Sequence, residues 1–83
     1  MKVKLDYDKE MINDIEASLA ACTKLSKRDA DEYRYFVEVF KPYIRQGEVE
    51  ITSTEAYFDM VRMISRCTDG EYHINSDGSI YIG

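Results

Sequence analysis

The sequence has little of what builds a metal site, a disulfide scaffold or a phosphate-binding loop. Its 83 residues include no tryptophan, one proline, one histidine, two cysteines and four scattered glycines. Two cysteines are too few for a disulfide scaffold, and a single histidine gives no short ligand pair typical of zinc. No glycine-rich loop is present to hold a phosphate group. We therefore expect no metal ion and no cofactor.

Long apolar runs are missing as well, and basic side chains are fewer than acidic ones. The longest apolar run is far shorter than a membrane span, and residues 1–4 lack the apolar region of a signal peptide. Sixteen acidic and eleven basic side chains give a net charge of −5, which disfavours binding to duplex nucleic acid or to an anionic membrane. We expect a cytoplasmic protein that has free thiols and does not associate with membranes.

Apolar and aromatic residues are plentiful, and they predict one small domain spanning residues 1–83. Its organising segment is residues 26–46, where apolar side chains recur at the spacing of one helix face. Pro42 lies within this span, so we expect a kink followed by a final turn that ends at Gly47. The apolar stripe consists of Tyr33, Phe36, Val37, Phe40, Tyr43 and Ile44.

Two more helices are predicted from apolar side chains at the same spacing. The first covers residues 9–24, and Asp8 is well placed to be its N-cap. The second covers residues 53–67, and Thr52 with Glu55 forms a capping box before it. With the central helix, whose own cap is a serine, these make three helices.

Strands are predicted at both ends of the chain. Strict alternation of apolar and polar residues over positions 2–7 predicts a strand with one buried face. Near the C-terminus, a three-residue loop at 76–78 with Gly78 in the left-handed conformation places all the apolar residues of a hairpin on one face. That register pairs Tyr72 with Ile82, His73 with Tyr81, and Ile74 with Ile80.

These elements predict an α+β domain with the order β-α-α-(β)-α-β-β. Residues 48–51 alternate briefly between polar and apolar side chains, and they form either a short edge strand or a simple connection. We expect the N-terminal strand to pair with the hairpin, because an isolated strand would leave its backbone unsatisfied. The predicted architecture is three helices packed on one face of a small antiparallel sheet.

Nothing in the sequence predicts an enzyme. Cys22 and Cys67 lie on apolar helix stripes, where a buried, unreactive thiol is the usual case, and His73 falls on the open face of the hairpin. Carboxylates are abundant, but no pair stands out as a general acid and base. Residues 75–80 match four positions of a calcium-binding loop, yet no helices flank them and the last position would lie beyond Gly83. We expect a turn there, and thiols that react slowly.

Three classes of function remain open. The one that we favour is a small acidic, non-enzymatic protein-binding module, an adaptor or inhibitor that binds a host or partner protein of basic or nucleic-acid-binding character. A homo-oligomer, such as a homodimer that buries Tyr35 and Val39 against its own copy, is the second. The third is a winged-helix-like regulator that binds nucleic acid directly, although Glu55 and Asp59 would repel phosphate in its recognition helix. Compact acidic domains of this size are often encoded by phages or other mobile elements.

Candidate contact residues follow from expected exposure alone, and they form two sets. Tyr35 and Val39 lie off the main apolar stripe, so they are either covered by neighbouring elements or part of an exposed patch. The set on the flank of the central helix is Asp31, Tyr35, Glu38 and Val39. The set on the outer face of the sheet is Lys2, Lys4, Asp6, His73 and Tyr81.

Overall fold

The structure, a computed structural model, describes residues 1–22 and 26–83. Within these ranges the α+β class and the predicted order of elements are confirmed. The second helix, α2, is continuous but consists of three consecutive segments. The elements are β1 (Lys2–Tyr7), α1 (Lys9–Cys22), α2 (Lys27–Tyr35, Phe36–Phe40 and Lys41–Arg45), β2 (Glu48–Glu50), α3 (Thr54–Thr68), β3 (Tyr72–Ile74) and β4 (Ile80–Ile82).

The sheet has the order β2-β1-β4-β3 and is mixed. The hairpin pair β3–β4 is antiparallel as predicted, and β1 also pairs with β2 in antiparallel orientation. The N-terminal strand pairs with the hairpin as expected, but β1 and β4 run parallel, which corrects the expectation of a wholly antiparallel sheet. Parallel neighbours need a long crossover connection, and the helices between β1 and β4 supply it. Residues 48–50 form an edge strand on β1, so the strand alternative for this segment is the right one.

Burial alternates along the strands as the sequence pattern predicts. Val3 and Leu5 of β1 are buried on the face that the helices cover, and their polar neighbours are exposed on the outer face. The hairpin has the predicted register, and Gly78 adopts a φ of +87° in its loop. Ile74 shares the inner face with Ile80 but is 50% exposed, because β3 is an edge strand.

A side-chain hydrogen bond caps the start of each described helix. Ser26 Oγ accepts a hydrogen bond from the Asp29 amide at 3.1 Å at the start of α2. The cap of α3 is Ser53, whose Oγ accepts from the Ala56 amide at 3.1 Å, and this corrects the expected Thr52 cap by one residue. Ser53 still has extended backbone, so the helix begins only after it. Asp8 caps α1 as predicted, while the expected end of α1 at residue 24 lies outside the described residues.

The middle segment of α2, Phe36–Phe40, is a π-helix. The Lys41 amide donates to the Phe36 carbonyl, five residues back, instead of four. Pro42 follows directly, and it has no amide hydrogen to donate to the preceding turn. The irregularity expected at Pro42 therefore takes the form of a widened turn just before it, after which α2 completes one more turn. The helix ends as predicted at Gly47, which has a φ of +73°.

The core lies between α2, α3 and the inner face of the sheet. Phe36 and Phe40 of α2 are 1% and 0% exposed, and their ring centroids are 5.2 Å apart. Their partners are aliphatic side chains from all the strands except β3 and from the other helices. The buried apolar residues are Val3, Leu5, Ile12, Phe36, Phe40, Ile44, Val49, Ile51, Met60, Ile64, Ile80 and Ile82.

An ion pair joins α1 to α2 at the edge of this core. Lys41 Nζ donates to Glu16 Oε2 at 2.5 Å, and the two side chains are only 17% and 25% exposed. Solvent screens this pair far less than it screens an exposed pair such as Arg62–Asp59, whose side chains are 78% and 70% exposed. We infer that the Lys41–Glu16 pair holds the two helices in register.

Replacing Lys41 by methionine and Glu16 by glutamine, singly and together, should give a coupling energy of about 1–2 kcal/mol, because this hydrogen bond between charges is partly buried. Urea denaturation of the four proteins measures it. The same cycle on the exposed Arg62–Asp59 pair is the control and should give less than about 0.5 kcal/mol. Equal coupling energies in the two cycles would contradict a structural role for the Lys41–Glu16 pair.

Phe40→Ala should lower the free energy of unfolding by about 3–5 kcal/mol, because it opens a cavity in the centre of the core. That is a large part of the stability of so small a domain. The adjacent Val39 is 44% exposed, so Val39→Ala should change stability by no more than about 0.5 kcal/mol. Denaturant melts of both variants test the orientation of α2, and similar melts for the two would show that the orientation is wrong.

Candidate functional site

The two predicted sets of contact residues lie on separate surfaces. The outer sheet face faces away from the helices, whereas the other set lies on α2, which covers the opposite face. The structure therefore does not bring the two sets together into one site, and each surface must be judged by its own geometry.

On the outer sheet face, three of the predicted residues form a row across neighbouring strands. Asp6 of β1 is in register with Tyr81 of β4, and Tyr81 is in register with His73 of β3. All three are exposed, and the Tyr81 ring packs against Gly83, where an added Cβ would lie 2.7 Å from its Cε1 atom. This row presents an acid, a phenol and an imidazole on rigid strands.

The charges on the outer sheet face are mixed. Lys2 and Lys4 of β1 are exposed there, and Lys2 Nζ lies 3.7 Å from Glu48 Oε1 of the edge strand β2. In the hairpin loop, hydrogen bonds from Ser79 lower the pKa of Asp77, and Lys4 adds a smaller effect in the same direction. Opposite charges at such short range cancel each other, so this face has no strong potential of one sign.

The α2 flank is organised around Tyr35, which is half-buried. The guanidinium carbon of Arg66, from α3, lies 5.2 Å from the centroid of the Tyr35 ring. Arg66 Nη2 also donates to Glu32 Oε1 at 3.4 Å. A cation over an aromatic face and a carboxylate beside the guanidinium bring the three side chains together, and the Arg66 side chain remains 62% exposed.

A groove of about 550 Å³ lies beside this arrangement, between α2 and α3. Arg28 and Asp31 complete its lining, and Asp31 Oδ1 is 3.8 Å from Arg34 Nη1. We call it the α2–α3 groove; its lining is Arg28, Asp31, Glu32, Tyr35 and Arg66. Two arginines and two carboxylates make the groove electrically balanced.

The other two residues of the predicted helix set lie outside the α2–α3 groove. Glu38 is exposed and lines a smaller groove, of about 340 Å³, with Tyr33 and Val37. Val39 is 44% exposed. The structure thus combines Asp31 and Tyr35 with Arg66, a residue that sequence reasoning missed. Helical spacing places Arg66 on the polar face of α3, and no pattern along the chain shows that this face meets α2.

The two cysteines have different environments, which corrects the expectation that both are buried. Cys22, in the last turn of α1, is exposed, whereas Cys67 of α3 is half-buried. Burial raises the pKa of the Cys67 thiol to about 11. His73 is exposed on the outer sheet face, away from the helices that carry both thiols, so a catalytic Cys–His pair finds no support in the geometry.

The described residues show neither a metal-binding cluster nor a membrane-spanning helix. Across residues 1–22 and 26–83, no group of three or more His, Cys, Asp or Glu side chains is arranged to hold a metal ion. In the same part of the chain, none of the helices combines the length and the apolar character needed to cross a bilayer.

Comparisons with known proteins add no functional information. No family model matches the chain, and no curated protein or solved structure is significantly similar to it. The surfaces of the molecule itself are therefore the basis for a functional proposal.

A thiol reagent should modify Cys22 rapidly and Cys67 slowly in the native protein at about pH 8, because only Cys22 is exposed and the Cys67 thiol is still protonated. The Cys67 rate should keep rising with pH towards its pKa of about 11, since the thiolate is the reactive form. Mass spectrometry of labelled peptides measures both rates, and labelling in urea is the control. Equal native rates at about pH 8 would show that Cys67 is not protected.

Proposed function

We propose that this protein is a non-enzymatic protein-binding module that docks its partner in the α2–α3 groove. The observation that carries the proposal is the fixed arrangement of Tyr35 beneath Arg66, with Arg66 held by Glu32, at the edge of the groove. Tyrosine and arginine are two of the residue types that contribute most binding energy at protein interfaces.

The contacts within the groove support this choice of surface over the outer sheet face. Arg66 and Tyr35 already restrict each other, so little further side-chain freedom is lost when a partner docks. The Tyr35 ring is half-buried, yet it still lines the groove and offers a flat apolar surface with a polar tip. Tyr81, in contrast, is in register with Asp6 and His73 on an exposed face of mixed charge.

The charge of the whole protein favours a basic partner. A net charge of −5 attracts a positively charged protein over distances of about 10 Å at 0.1 M salt, and this attraction raises the association rate. The groove itself is balanced in charge, so it does not speed association. It contributes to affinity after docking, by slowing dissociation of the complex. A basic protein, including one that binds nucleic acid, fits both properties.

Tyr35→Ala should increase the dissociation rate from the partner about 30-fold, which corresponds to about 2 kcal/mol, because a desolvated anchor is lost. Arg66→Ala should act in the same direction. The matched controls are Tyr81→Ala on the outer sheet face and Arg62→Ala, one turn before Arg66 and 78% exposed, and both should have less than about a two-fold effect. The measurement is surface-based kinetics with a partner recovered from a lysate and then purified.

Two results would contradict the proposal. Loss of binding in Tyr81→Ala, with Tyr35→Ala unaffected, would move the docking surface to the outer sheet face. Light scattering that shows a wild-type dimer and a Tyr35→Ala monomer, with no second protein present, would identify self-association as the use of this surface.

A further inference from the structure

A second cavity, of about 310 Å³, lies where the start of α1 meets the end of α2. It shares no lining residue with the α2–α3 groove. Three of its lining residues are cationic, namely Lys9, Lys41 and Arg45. This concentration is unexpected in a chain whose acidic side chains outnumber its basic ones by sixteen to eleven.

The charges of this basic cavity are only partly compensated. Lys41 is paired with Glu16 at 2.5 Å, which neutralises one of the three cations. Among the residues that the structure describes, neither Lys9 nor Arg45 has an ion-pair partner. Two acids, Asp8 and Glu10, flank Lys9 along the chain, and Asp8 uses its Oδ1 atom to accept the Glu10 amide at 2.9 Å. Two cations at one cavity repel each other, and a bound anion would relieve that repulsion.

The remaining lining residues add neutral hydrogen-bonding groups to the cations. Asn13 contributes an amide and Tyr7 a phenol, and each can donate and accept hydrogen bonds. Ile12 and Ile44 complete the lining, but they are only 2% and 1% exposed and offer a ligand almost no apolar surface. A cationic rim with neutral donors suits a small, polar anion.

We propose that this basic cavity binds a small oxyanion, a carboxylate or phosphate group whose oxygens contact Lys9 and Arg45. The arginine fork matches either oxyanion through two parallel hydrogen bonds. The volume is at the lower end of the range for ligand pockets, so the ligand is small. This inference is independent of the α2–α3 groove.

The test is a titration of the full chain followed by NMR, with phenyl phosphate, benzoate, inorganic phosphate and benzyl alcohol as separate ligands. Phenyl phosphate or benzoate should give saturable shifts at Lys9, Asn13 and Arg45, and the tighter of the two identifies the oxyanion class. Inorganic phosphate should bind about as tightly as phenyl phosphate, because the cavity offers cations but little apolar surface, and benzyl alcohol should cause no saturable shift.

Lys9 and Arg45 are exposed, so the double variant Lys9→Gln, Arg45→Gln should fold normally, which circular dichroism checks. It should raise the dissociation constant of the preferred anion at least about ten-fold. The control Lys2→Gln, Arg62→Gln changes the net charge equally but alters residues outside the cavity, and should have less than about a two-fold effect.

Four outcomes would overturn the inference. No saturation of either organic anion up to about 10 mM would exclude a site of useful affinity. Equal weakening in the two double variants would show only an effect of net charge. Saturable binding of benzyl alcohol would indicate an apolar pocket without anion preference, and binding of phenyl phosphate at least about ten-fold tighter than that of inorganic phosphate would show that the ring rather than the oxyanion is recognised.

Discussion

Burial of Phe36 and Phe40 is the interaction on which the rest of the structure depends. These side chains are 1% and 0% exposed and lie in the π-helical segment of α2, over the inner face of the sheet. Two buried aromatic rings supply a large share of the apolar area that so small a domain can remove from water. Their position determines which flanks of α2 are left to meet α1 and α3.

Both candidate binding surfaces arise where a flank of α2 meets another helix. On one side, Lys41 reaches Glu16 of α1, and the basic cavity opens beside this pair. On the other, Tyr35 meets Arg66 of α3 at the α2–α3 groove. Because the phenylalanines orient the helix, substitutions that turn α2 about its axis would be expected to disturb both surfaces at once. Tests of either surface therefore use substitutions of exposed or half-buried residues that leave the core intact.

The candidate sites could be predicted only in part. The pairing of His73 with Tyr81 follows from the hairpin register, and strand alternation places Asp6 on the same outer face. That Asp6 lies beside Tyr81 depends on how β1 pairs with β4, which are far apart in the chain. Arg66 could not be assigned to the site of Tyr35, because its position depends on how two helices pack. The exposure of Cys22 was likewise mispredicted, because an apolar stripe along one helix does not show how far the neighbouring elements extend to cover it.

The sequence by itself determined the elements, their order, the Ser26 cap, the Gly47 stop and the hairpin register. These features depend on dihedral preferences, local hydrogen bonds and the period of side chains along one segment. Tertiary structure alone decided that β1 and β4 run parallel, that the irregularity before Pro42 is a π-turn, and which charged side chains meet. Those outcomes depend on contacts between segments far apart in the chain, where the alternatives differ in packing and solvation rather than in local propensity.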